Sequence, residues 1–438
     1  MIHTIDLQKI HKIFFIGIGG IGMSALARMM HHQGKLVIGS DNALNKVVEG
    51  LQDEGFLIHI GQSAEHIPGD IDLVVFSEAV QDYQPEFLAT LKKQFSVPML
   101  SYPEMLGVVS RDMFTIAIAG THGKTTTTGM IATMLVDAGK NPTAVVGSIL
   151  AREQSNFIAG TSNIFVVEAC EYKRSFLNIK PNILVITNIE EDHLDYYKDL
   201  ADIQGAFRGF THSVPNDGAI IADTHDPVVQ AVLSGATQKV VDYRTFVDQT
   251  LGLRVPSEYN LHNAAGALAV ARELGIDMDT ARTSLENFQG TWRRFEYKGR
   301  ARRGELIYDD YAHHPTEVRS VLAAAKKIFP DRDIVAIFEP HLFSRTKALF
   351  DDFSTCFSDA DRVILLPIYF AREEEDASIS SNMLGEAIAQ HQSKVFVARS
   401  YKHVLEYLET TETTDAVIIT MGAGSVYHIG EDLVRNSQ

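Results

Sequence analysis

The residue types best able to do chemistry lie in a short segment that joins an apolar strand to a helix. An apolar run ending at Ala119 is followed by the sequence Gly120-Thr121-His122-Gly123-Lys124-Thr125-Thr126. Backbone N–H groups around the two glycines, and the positive end of the following helix, can hold phosphate oxygens. Lys124 can reach terminal phosphates, and Thr125 is placed to ligate Mg²⁺. The segment predicts a nucleotide-binding P-loop, shorter than usual because Ile118 stands where the first glycine is expected.

Polar residues also follow two later apolar strands. Glu168 ends the strand at 164–167. Past the strand at 183–187 come Asn188, Asp192 and His193. In a parallel sheet these strand ends share the edge that carries the P-loop, and carboxylates there often complete a Mg²⁺ shell. Metal positions are therefore expected at this edge, the alternatives being a solvated acidic loop and a loop hydrogen bond for His193.

A second glycine turn lies near the start of the chain. Gly17, Gly19 and Gly22 stand between a strand at 12–16 and a helix, and Asp41 ends the next strand. This pattern is a dinucleotide fingerprint. Its physics is broader, because a glycine turn at a helix start binds any diphosphate and the acid can hold any ribose. NAD and a UDP-sugar both stay open on this motif alone.

Two loops late in the chain carry polar side chains after predicted strands. In 308–317, Asp310 could hold a ribose and His313 could meet an amine or carboxylate. In 340–346, Arg345 could bind a carboxylate or phosphate. The alternative for both loops is a structural histidine and a surface arginine.

The elements that must position these residues alternate between strand and helix along the whole chain. Strands are predicted near 12–16, 36–41 and 72–76, then at 164–167 and 183–187, then at 305–308, 333–338, 362–366, 394–397 and 416–420. This rhythm predicts three consecutive α/β domains, at residues 1–111, 112–296 and 297–438.

Composition excludes several classes of function. The net charge is −17 and no long Lys/Arg block occurs, so general nucleic-acid binding is not expected. The two cysteines, Cys170 and Cys356, are far apart, which favours a reducing cytoplasm over a disulfide framework. The apolar stretch at 13–27 is too short and too glycine-rich for a membrane span, so neither a signal peptide nor an anchor is expected.

Together these segments resemble the muramyl ligases, the ATP-dependent amide-forming enzymes of peptidoglycan precursor synthesis. The resemblance covers essentially the whole chain. It is carried by the shortened P-loop at 120–125, by 17–24, 309–317, 367–373 and 421–424. It implies a Rossmann-like UDP-sugar domain, a P-loop ATPase-like central domain and a Rossmann-like C-terminal domain. Within the family, these motifs look most like the member that joins L-alanine to UDP-N-acetylmuramate.

The resemblance also implies a role for each matching residue. Catalytic roles fall on Lys124, Arg294, His313 and Arg345. Nucleotide contacts fall on Gly120, Thr121, His122, Gly123, Lys124, Thr125, Thr126, Asn260, Asn263 and Asp310, and metal contacts on Thr125, Glu168 and His193. UDP-sugar contacts fall on Gly17, Gly19, Gly20, Gly22, Met23, Ser24, Asp41 and Ser77. ATP and Mg²⁺ are the implied co-substrate and metal, and a monomer and a dimer both stay open.

Three positions depart from the family pattern. Cys170 stands where an aspartate is usual, so a carboxylate near the metals is missing unless Glu171 replaces it. Tyr259 replaces a common histidine, and Leu342 replaces one of two arginines for the amino acid. Three alternatives to the L-alanine ligase stay open: a recycling ligase that attaches a wall-derived tripeptide, an NAD(P)-dependent oxidoreductase, and a nucleotide-binding regulator without catalysis.

Overall fold

Three β-sheets, each built from a consecutive stretch of the chain, form the framework of the protein. The computed structural model describes residues 5–255, 257–370 and 373–436. The chain divides into two compact units. The first contains residues up to Ile189, Ile203–Val247 and Ala264–Leu285, and it holds two of the sheets. The second contains Glu190–Asp202, Asp248–Asn263 and the chain from Glu286 onward, and it holds the third.

The first sheet is parallel and doubly wound. Its strands are β1 (Lys12–Ile16), β2 (Leu36–Asp41), β3 (Leu57–Ile60), β4 (Leu73–Phe76) and β5 (Met99–Ser101), and its helices are α1 (Ile21–His32), α2 (Lys46–Asp53), α3 (Glu78–Tyr83), α4 (Pro85–Gln94) and α5 (Tyr102–Ser110). The strand order is β3-β2-β1-β4-β5. The order reverses between β1 and β4, which is where sheets of this kind open a ligand crevice at the carboxyl ends of the strands.

The second sheet surrounds the predicted P-loop strand. Its strands are β6 (Phe114–Ala119), β7 (Thr143–Leu150), β8 (Ser155–Ile158), β9 (Ile164–Glu168), β10 (Ile183–Ile186), β11 (Ala219–Ala222) and β12 (Lys239–Asp242). The helices that follow are α6 (Lys124–Asp137), α7 (Leu200–Thr211), α8 (Pro227–Leu233), α9 (Glu258–Glu273) and α10 (Met278–Asn287). The order is β12-β11-β10-β6-β9-β7-β8, parallel except for β8. Because β6 pairs with both β9 and β10, the ends of those two strands flank the P-loop.

The third sheet has buried apolar residues on both faces. Its strands are β13 (Glu296–Arg300), β14 (Leu306–Asp310), β15 (Ile334–Phe338), β16 (Arg362–Leu365), β17 (Val395–Val397) and β18 (Val417–Met421). Its helices are α11 (Pro315–Ile328), α12 (Phe343–Ala348), α13 (Phe350–Thr355), α14 (Ser381–Ile388), α15 (Tyr401–Thr410) and α16 (Tyr427–Arg435). The order is β13-β14-β18-β15-β16-β17, with only β13 antiparallel. One apolar cluster joins the sheet to α11, α13 and α14, and another joins it to α15 and α16.

The predicted series of three α/β stretches is confirmed, with shifts of a residue or two at strand ends. One shift matters for the site. The strand predicted at 305–308 extends to Asp310, because its parallel pairing with β18 continues as far as Met421. Asp310 is therefore a strand residue, not a loop residue. The predicted domain borders after residues 111 and 296 stay predictions.

Within the first unit, a buried polar contact joins helix α1 to the second sheet. Asn156 in β8 is fully buried, and its Nδ2 donates to the Ile21 carbonyl at 2.5 Å and to Ser24 Oγ at 2.9 Å. Arg28 Nη1 donates to Asn156 Oδ1 at 2.7 Å. The start and middle of the helix that follows the glycine turn are thus fixed to the sheet that carries the P-loop.

Among the described residues, no helix combines the length and apolar composition needed to cross a bilayer.

In the second unit, the buried guanidinium of Arg293 ties the segment before β13 to two strand ends. Its Nε donates to Asp309 Oδ2 at 2.8 Å, Nη1 to the Gly424 carbonyl at 2.9 Å, and Nη2 to the Gly422 carbonyl at 2.6 Å. Asp309 is fully buried, and its other oxygen accepts from Thr420 Oγ1 at 2.6 Å. A buried charge pair with this many bonds is costly to break from one side, since the remaining charge stays desolvated.

We therefore expect Arg293→Met to lower the free energy of unfolding of the second unit by about 3–5 kcal/mol. The matched control is Arg435→Met, which removes an exposed guanidinium paired with Asp432 and should change stability by less than about 1 kcal/mol. Urea and thermal unfolding would measure both variants. An equal, small change in the two would contradict the anchoring role.

Candidate functional site

The predicted P-loop is a turn between β6 and α6 that brings two predicted metal ligands together. Gly123 caps α6 with a φ of +81°, and the helix begins at Lys124. Thr125 Oγ1, in the first turn, donates to Glu168 Oε2 at the end of β9 at a distance of 2.8 Å. Thr126 is half-buried in the same turn. The pair of a hydroxyl and a carboxylate beside a helix start is the oxygen donor set that Mg²⁺ prefers.

The ammonium group of Lys124 is held inside the loop. Its Nζ donates to the carbonyls of Gly120 at 2.5 Å and Thr121 at 3.0 Å, and to Glu171 Oε1 at 3.0 Å. Burial disfavours the charged form, but the Glu171 carboxylate, Cys170 and the Glu168 carboxylate together outweigh it, so the pKa of Lys124 is raised. The lysine is therefore charged at neutral pH and ready to meet an anion.

Glu171 is a carboxylate whose position the sequence left open. It is buried and faces Lys124, whereas the neighbouring thiol of Cys170 belongs to an exposed residue. Glu171 thus supplies a carboxylate next to the position where Cys170 has none, and this carboxylate is hydrogen-bonded to Lys124.

Close packing fixes the carboxylate of Glu168. The N–H of Gly147 in β7 donates to Glu168 Oε2 at 3.1 Å. A Cβ atom on Gly147 would lie 2.2 Å from that oxygen, which is too close, so the carboxylate would have to shift. Glycine at 147 therefore leaves the space in which the Glu168 carboxylate meets Thr125. Gly147 belongs to neither glycine motif, so no sequence pattern marks it.

The first-sheet turn gathers most of the predicted UDP-sugar residues at the switch point. Gly17, Gly19, Gly20 and Gly22 follow β1 and enter α1, while Ser77 follows β4 as the cap of α3. Asp41, at the end of β2, accepts the N–H of Gly19 at 2.8 Å. Met23 and Ser24 are buried in the first turns of α1, and Ser24 Oγ is bonded to Ile21 and Asn156. Met23 and Ser24 therefore pack beneath the glycine turn.

Tyr102 is a residue at this turn that sequence reasoning missed. It is the first residue of α5, whose start is fixed by a capping box between Ser101 and Glu104. A Cβ atom on Gly22 would lie 2.6 Å from Tyr102 Oη and Cζ. The phenol ring therefore packs directly against the start of α1.

In the second unit, His313 lies at the start of α11 among charged groups. Its Nδ1 is 2.9 Å from the Tyr311 carbonyl and 3.4 Å from Glu317 Oε2. Burial lowers the pKa of His313 to about 4, against the opposing pull of the Glu317 carboxylate. The imidazole is therefore neutral at pH 7 and able to accept a proton.

Arg345, predicted for an anionic group, is paired with Asp192. Its Nε and Nη2 donate to Asp192 Oδ1 at 3.2 and 2.8 Å, and its Nη1 lies 3.3 Å from His341 Nδ1. Burial acts to raise the pKa of Asp192, but His193, Arg345 and His313 outweigh it and hold that pKa well below its usual range. Asp192, expected near a metal, thus serves in this structure as the counter-ion of Arg345.

The predicted adenosine residues lie in two places in the second unit. Asn263 Nδ2 donates to Asn260 Oδ1 at 3.2 Å on the first turns of α9. Asp310 is buried, and its two oxygens accept the N–H groups of Phe295 and Ala312, each at 2.7 Å. Burial raises the pKa of Asp310 to about 6. Its carboxylate is thus already engaged with backbone, a structural use that the sequence did not suggest.

The remaining predicted residues are Arg294 and His193. The Arg294 guanidinium lies 3.8 Å from Glu317 and 5.4 Å from the Tyr311 ring centroid. His193 follows Asp192 with a φ of +55°, a strained value for a non-glycine residue. The structure thus gathers Arg294, His313 and Glu317, and it joins Thr125 to Glu168 in the other unit.

Leu342 is buried at a position where the resemblance expects an arginine. Its φ is +71° and its N–H donates to the Tyr369 carbonyl at 2.9 Å. Tyr369 in turn stacks on His341. Ala371 and Arg372, which belong to the 367–373 segment, lie outside the described part of the chain. Among the described residues of α12, Arg345 is the arginine that remains available for the amino acid.

Models of a known protein family match most of the chain. Family models match three successive stretches: Mur ligase family, catalytic domain, at residues 12–113; Mur ligase middle domain at 118–250; and Mur ligase, glutamate ligase domain, at 293–424. Each stretch coincides with one of the three sheets. The P-loop lies in the second and the His313 turn in the third.

Curated relatives are similar over nearly their full length. The UDP-N-acetylmuramate–L-alanine ligase of Clostridium kluyveri is 38% identical, with 98% of this chain and 99% of that protein covered. The ligase of the same name from Agathobacter rectalis is 39% identical, with 99% and 100% covered.

Solved structures of such ligases share the fold. The UDP-N-acetylmuramate-alanine ligase of Thermotoga maritima has a TM-score of 0.78 and 26% identity, covering 97% of this chain and 98% of that one. The murein peptide ligase of Psychrobacter arcticus has a TM-score of 0.71 and 25% identity, with the same coverage. Full-length similarity in sequence and structure leads to one conclusion: this chain belongs to the Mur ligase family.

Proposed function

We propose that this chain is an ATP-dependent ligase that joins L-alanine to the lactyl carboxylate of UDP-N-acetylmuramate, a step of peptidoglycan precursor synthesis. The observation that carries the proposal is full-length identity of 38–39% to curated proteins named for this activity. The proposed nucleotide substrates support a cytoplasmic location for the reaction. The Mur ligase match leaves the nicotinamide interpretation of the first glycine turn without support.

The nucleotide half of the reaction is supported by Lys124, Thr125 and Glu168. Lys124 is charged and surrounded by the loop, so it can exchange carbonyl and carboxylate partners for the β and γ phosphates. Thr125 and Glu168 fit Mg²⁺, since both offer oxygens and lie within 2.8 Å of each other. When bound, the metal would neutralise phosphate charge. His193 is proposed as the ligand of a second metal.

The amine half of the reaction is supported by the loops of the second unit. His313 is proposed to accept a proton from the amine, because its lowered pKa leaves the imidazole uncharged at pH 7. Arg345 offers a guanidinium for the amino acid carboxylate, with Asp192 holding its orientation. Buried Leu342 leaves this carboxylate with fewer cations than the family pattern, which is why a peptide amine is tested beside L-alanine.

The proposed chemistry proceeds in two displacements. The lactyl carboxylate attacks the γ-phosphorus in line, which forms an acyl phosphate and releases ADP. The uncharged amine then attacks the acyl carbon, which forms the amide and releases phosphate. The protein's own contribution is charge and position: Lys124 is proposed to face the phosphates, Arg294 to supply a further positive charge, and His313 to take the proton.

Phosphate release tests this function directly. With ATP and Mg²⁺, release should require both UDP-N-acetylmuramate and L-alanine, and glycine, L-serine and the wall tripeptide serve as competing amines. Lys124→Ala should abolish release while the fold is kept, whereas Lys140→Ala, at an exposed lysine beyond α6, should leave it unchanged. Release with the tripeptide alone would replace the proposal with a recycling ligase, and normal activity of Lys124→Ala would refute the mechanism.

Gly147→Ala tests the metal half. The added Cβ would collide with Glu168 Oε2 and move the carboxylate away from Thr125, so we expect Mg²⁺–ATP affinity to fall by about tenfold or more. Gly205→Ala is the matched control, since a Cβ at that helical position meets open space. Calorimetric titration of Mg²⁺–nucleotide would compare the two. Unchanged affinity in Gly147→Ala would mean that Glu168 does not ligate the metal.

His313→Gln tests the amine half. Loss of the proton acceptor should lower the turnover number by about a hundredfold while nucleotide binding stays normal. His428→Gln, which alters an exposed histidine beside Glu431, is the control. Steady-state phosphate release at saturating ATP would measure both. A change in ATP affinity without a change in turnover would argue against this role.

A further inference from the structure

The short P-loop is fastened to the strand beside it by one asparagine. Asn188 Oδ1 accepts the N–H of His122 at 2.9 Å, and Asn188 Nδ2 donates to the His122 carbonyl at 3.0 Å. The main-chain carbonyl of Asn188 accepts the N–H of Thr121 at 3.0 Å. A single residue therefore makes three hydrogen bonds to two consecutive loop residues, as a further rung of the sheet would.

The residue before Asn188 strengthens the same attachment. Thr187 Oγ1 donates to the His122 carbonyl at 2.6 Å, and the Thr187 carbonyl accepts from the buried Tyr243 hydroxyl at 2.7 Å. Gly120 permits the approach, because its φ is +135° and a Cβ there would lie 2.0 Å from Thr187 Oγ1. The loop is thus closed from the β10 side over residues 120–122.

This attachment divides the backbone donors of the loop. The N–H groups of Thr121 and His122 point to Asn188, so they are already engaged. The amides at the start of α6, from Lys124 to Thr126, have no partner within the helix, as at every helix start. The backbone N–H groups that remain for phosphate oxygens therefore begin at Gly123. The direction in which they point depends on the conformation of residues 120–122.

We infer that Asn188 is a positioning residue for nucleotide binding: it replaces, with its side-chain amide, the loop length that this shortened P-loop lacks. The inference rests on the proposed function only in so far as the loop binds ATP. Asn188 does not need to touch the nucleotide, because it acts through His122 and Thr121. Its loss should weaken nucleotide binding more than it slows the chemical step.

The chain supplies its own matched control at the other end of the same two strands. Asn182 immediately precedes β10, and its Oδ1 accepts the N–H of Thr115 in β6 at 2.9 Å. Asn182 and Asn188 are both half-buried, and both join the β10 edge to the β6 edge through side-chain amides. They differ in that only Asn188 reaches the P-loop.

The experiment compares Asn188→Ala, Thr187→Val and Asn182→Ala in the full-length protein. Calorimetric titration with Mg²⁺–ADP and Mg²⁺–ATP, steady-state phosphate release and thermal unfolding are measured for each. We expect Asn188→Ala to raise the nucleotide Kd and the KM for ATP by about tenfold or more, with turnover at saturating ATP within about threefold of wild type. Thr187→Val should shift both in the same direction by a smaller factor.

Asn182→Ala should lower the thermal unfolding midpoint by about as much as Asn188→Ala does, but it should leave nucleotide affinity within about twofold of wild type. The inference is overturned if Asn188→Ala binds nucleotide like wild type, or if Asn182→Ala weakens binding as much. Binding and turnover also separate the two proposals. Wild-type protein that binds nucleotide but releases no phosphate would refute the proposed ligase while the binding comparison still decides on Asn188; wild-type protein without nucleotide affinity would refute both.

Discussion

The parallel pairing of β6 with β9 and β10 is the constraint on which the nucleotide half of this protein depends. Register brings Ile118 opposite Glu168 and Ala119 opposite Ile186, so both neighbouring strands end level with the P-loop. Because parallel strands deliver their carboxyl ends to one edge, a carboxylate, a hydroxyl and an asparagine meet there although they are far apart in sequence. The loop itself then needs few residues, since its neighbours hold it.

Charge burial plays the corresponding part in the second unit. Arg293 is surrounded by Asp309 and two strand-end carbonyls, and Arg345 is held by Asp192. Groups of this kind are stable only when every partner is present. The same rule explains Lys124, which is satisfied by two carbonyls and Glu171 in the structure described. Each of these cations is therefore held in position by its hydrogen-bond partners.

Residues that act through others form a second layer around the expected ligands. Gly147 makes room for Glu168, Tyr102 packs against Gly22, and Asn188 holds the backbone of Thr121 and His122. None of them carries an obvious chemical signature. Their effect is geometric, because a phosphate or metal site loses affinity when its donors are misplaced by as little as 1 Å.

Much of the architecture could be predicted from sequence, for a physical reason. Buried parallel strands are continuous apolar runs, so the sequence predicts β1, β6 and β10. The turns after β1 and β6 are predicted by their glycines, because these residues permit the backbone conformations that such turns need. The sequence pattern predicts the end of β14 two residues early, because the polar pair Asp309 and Asp310 resembles a loop although the pairing with β18 keeps both in the sheet.

The sequence by itself determined the α/β class, the P-loop, the pairing of Thr125 with a strand-end glutamate, and the family to which these motifs belong. Only the tertiary structure decided the partners: that Glu171 meets Lys124, that Asp192 meets Arg345, that Asp310 holds two backbone amides, and that Asn188 closes the loop. The reason is that motif residues are constrained locally, whereas partners come from distant segments. Their proximity depends on strand order and register, which spacing along one chain does not encode.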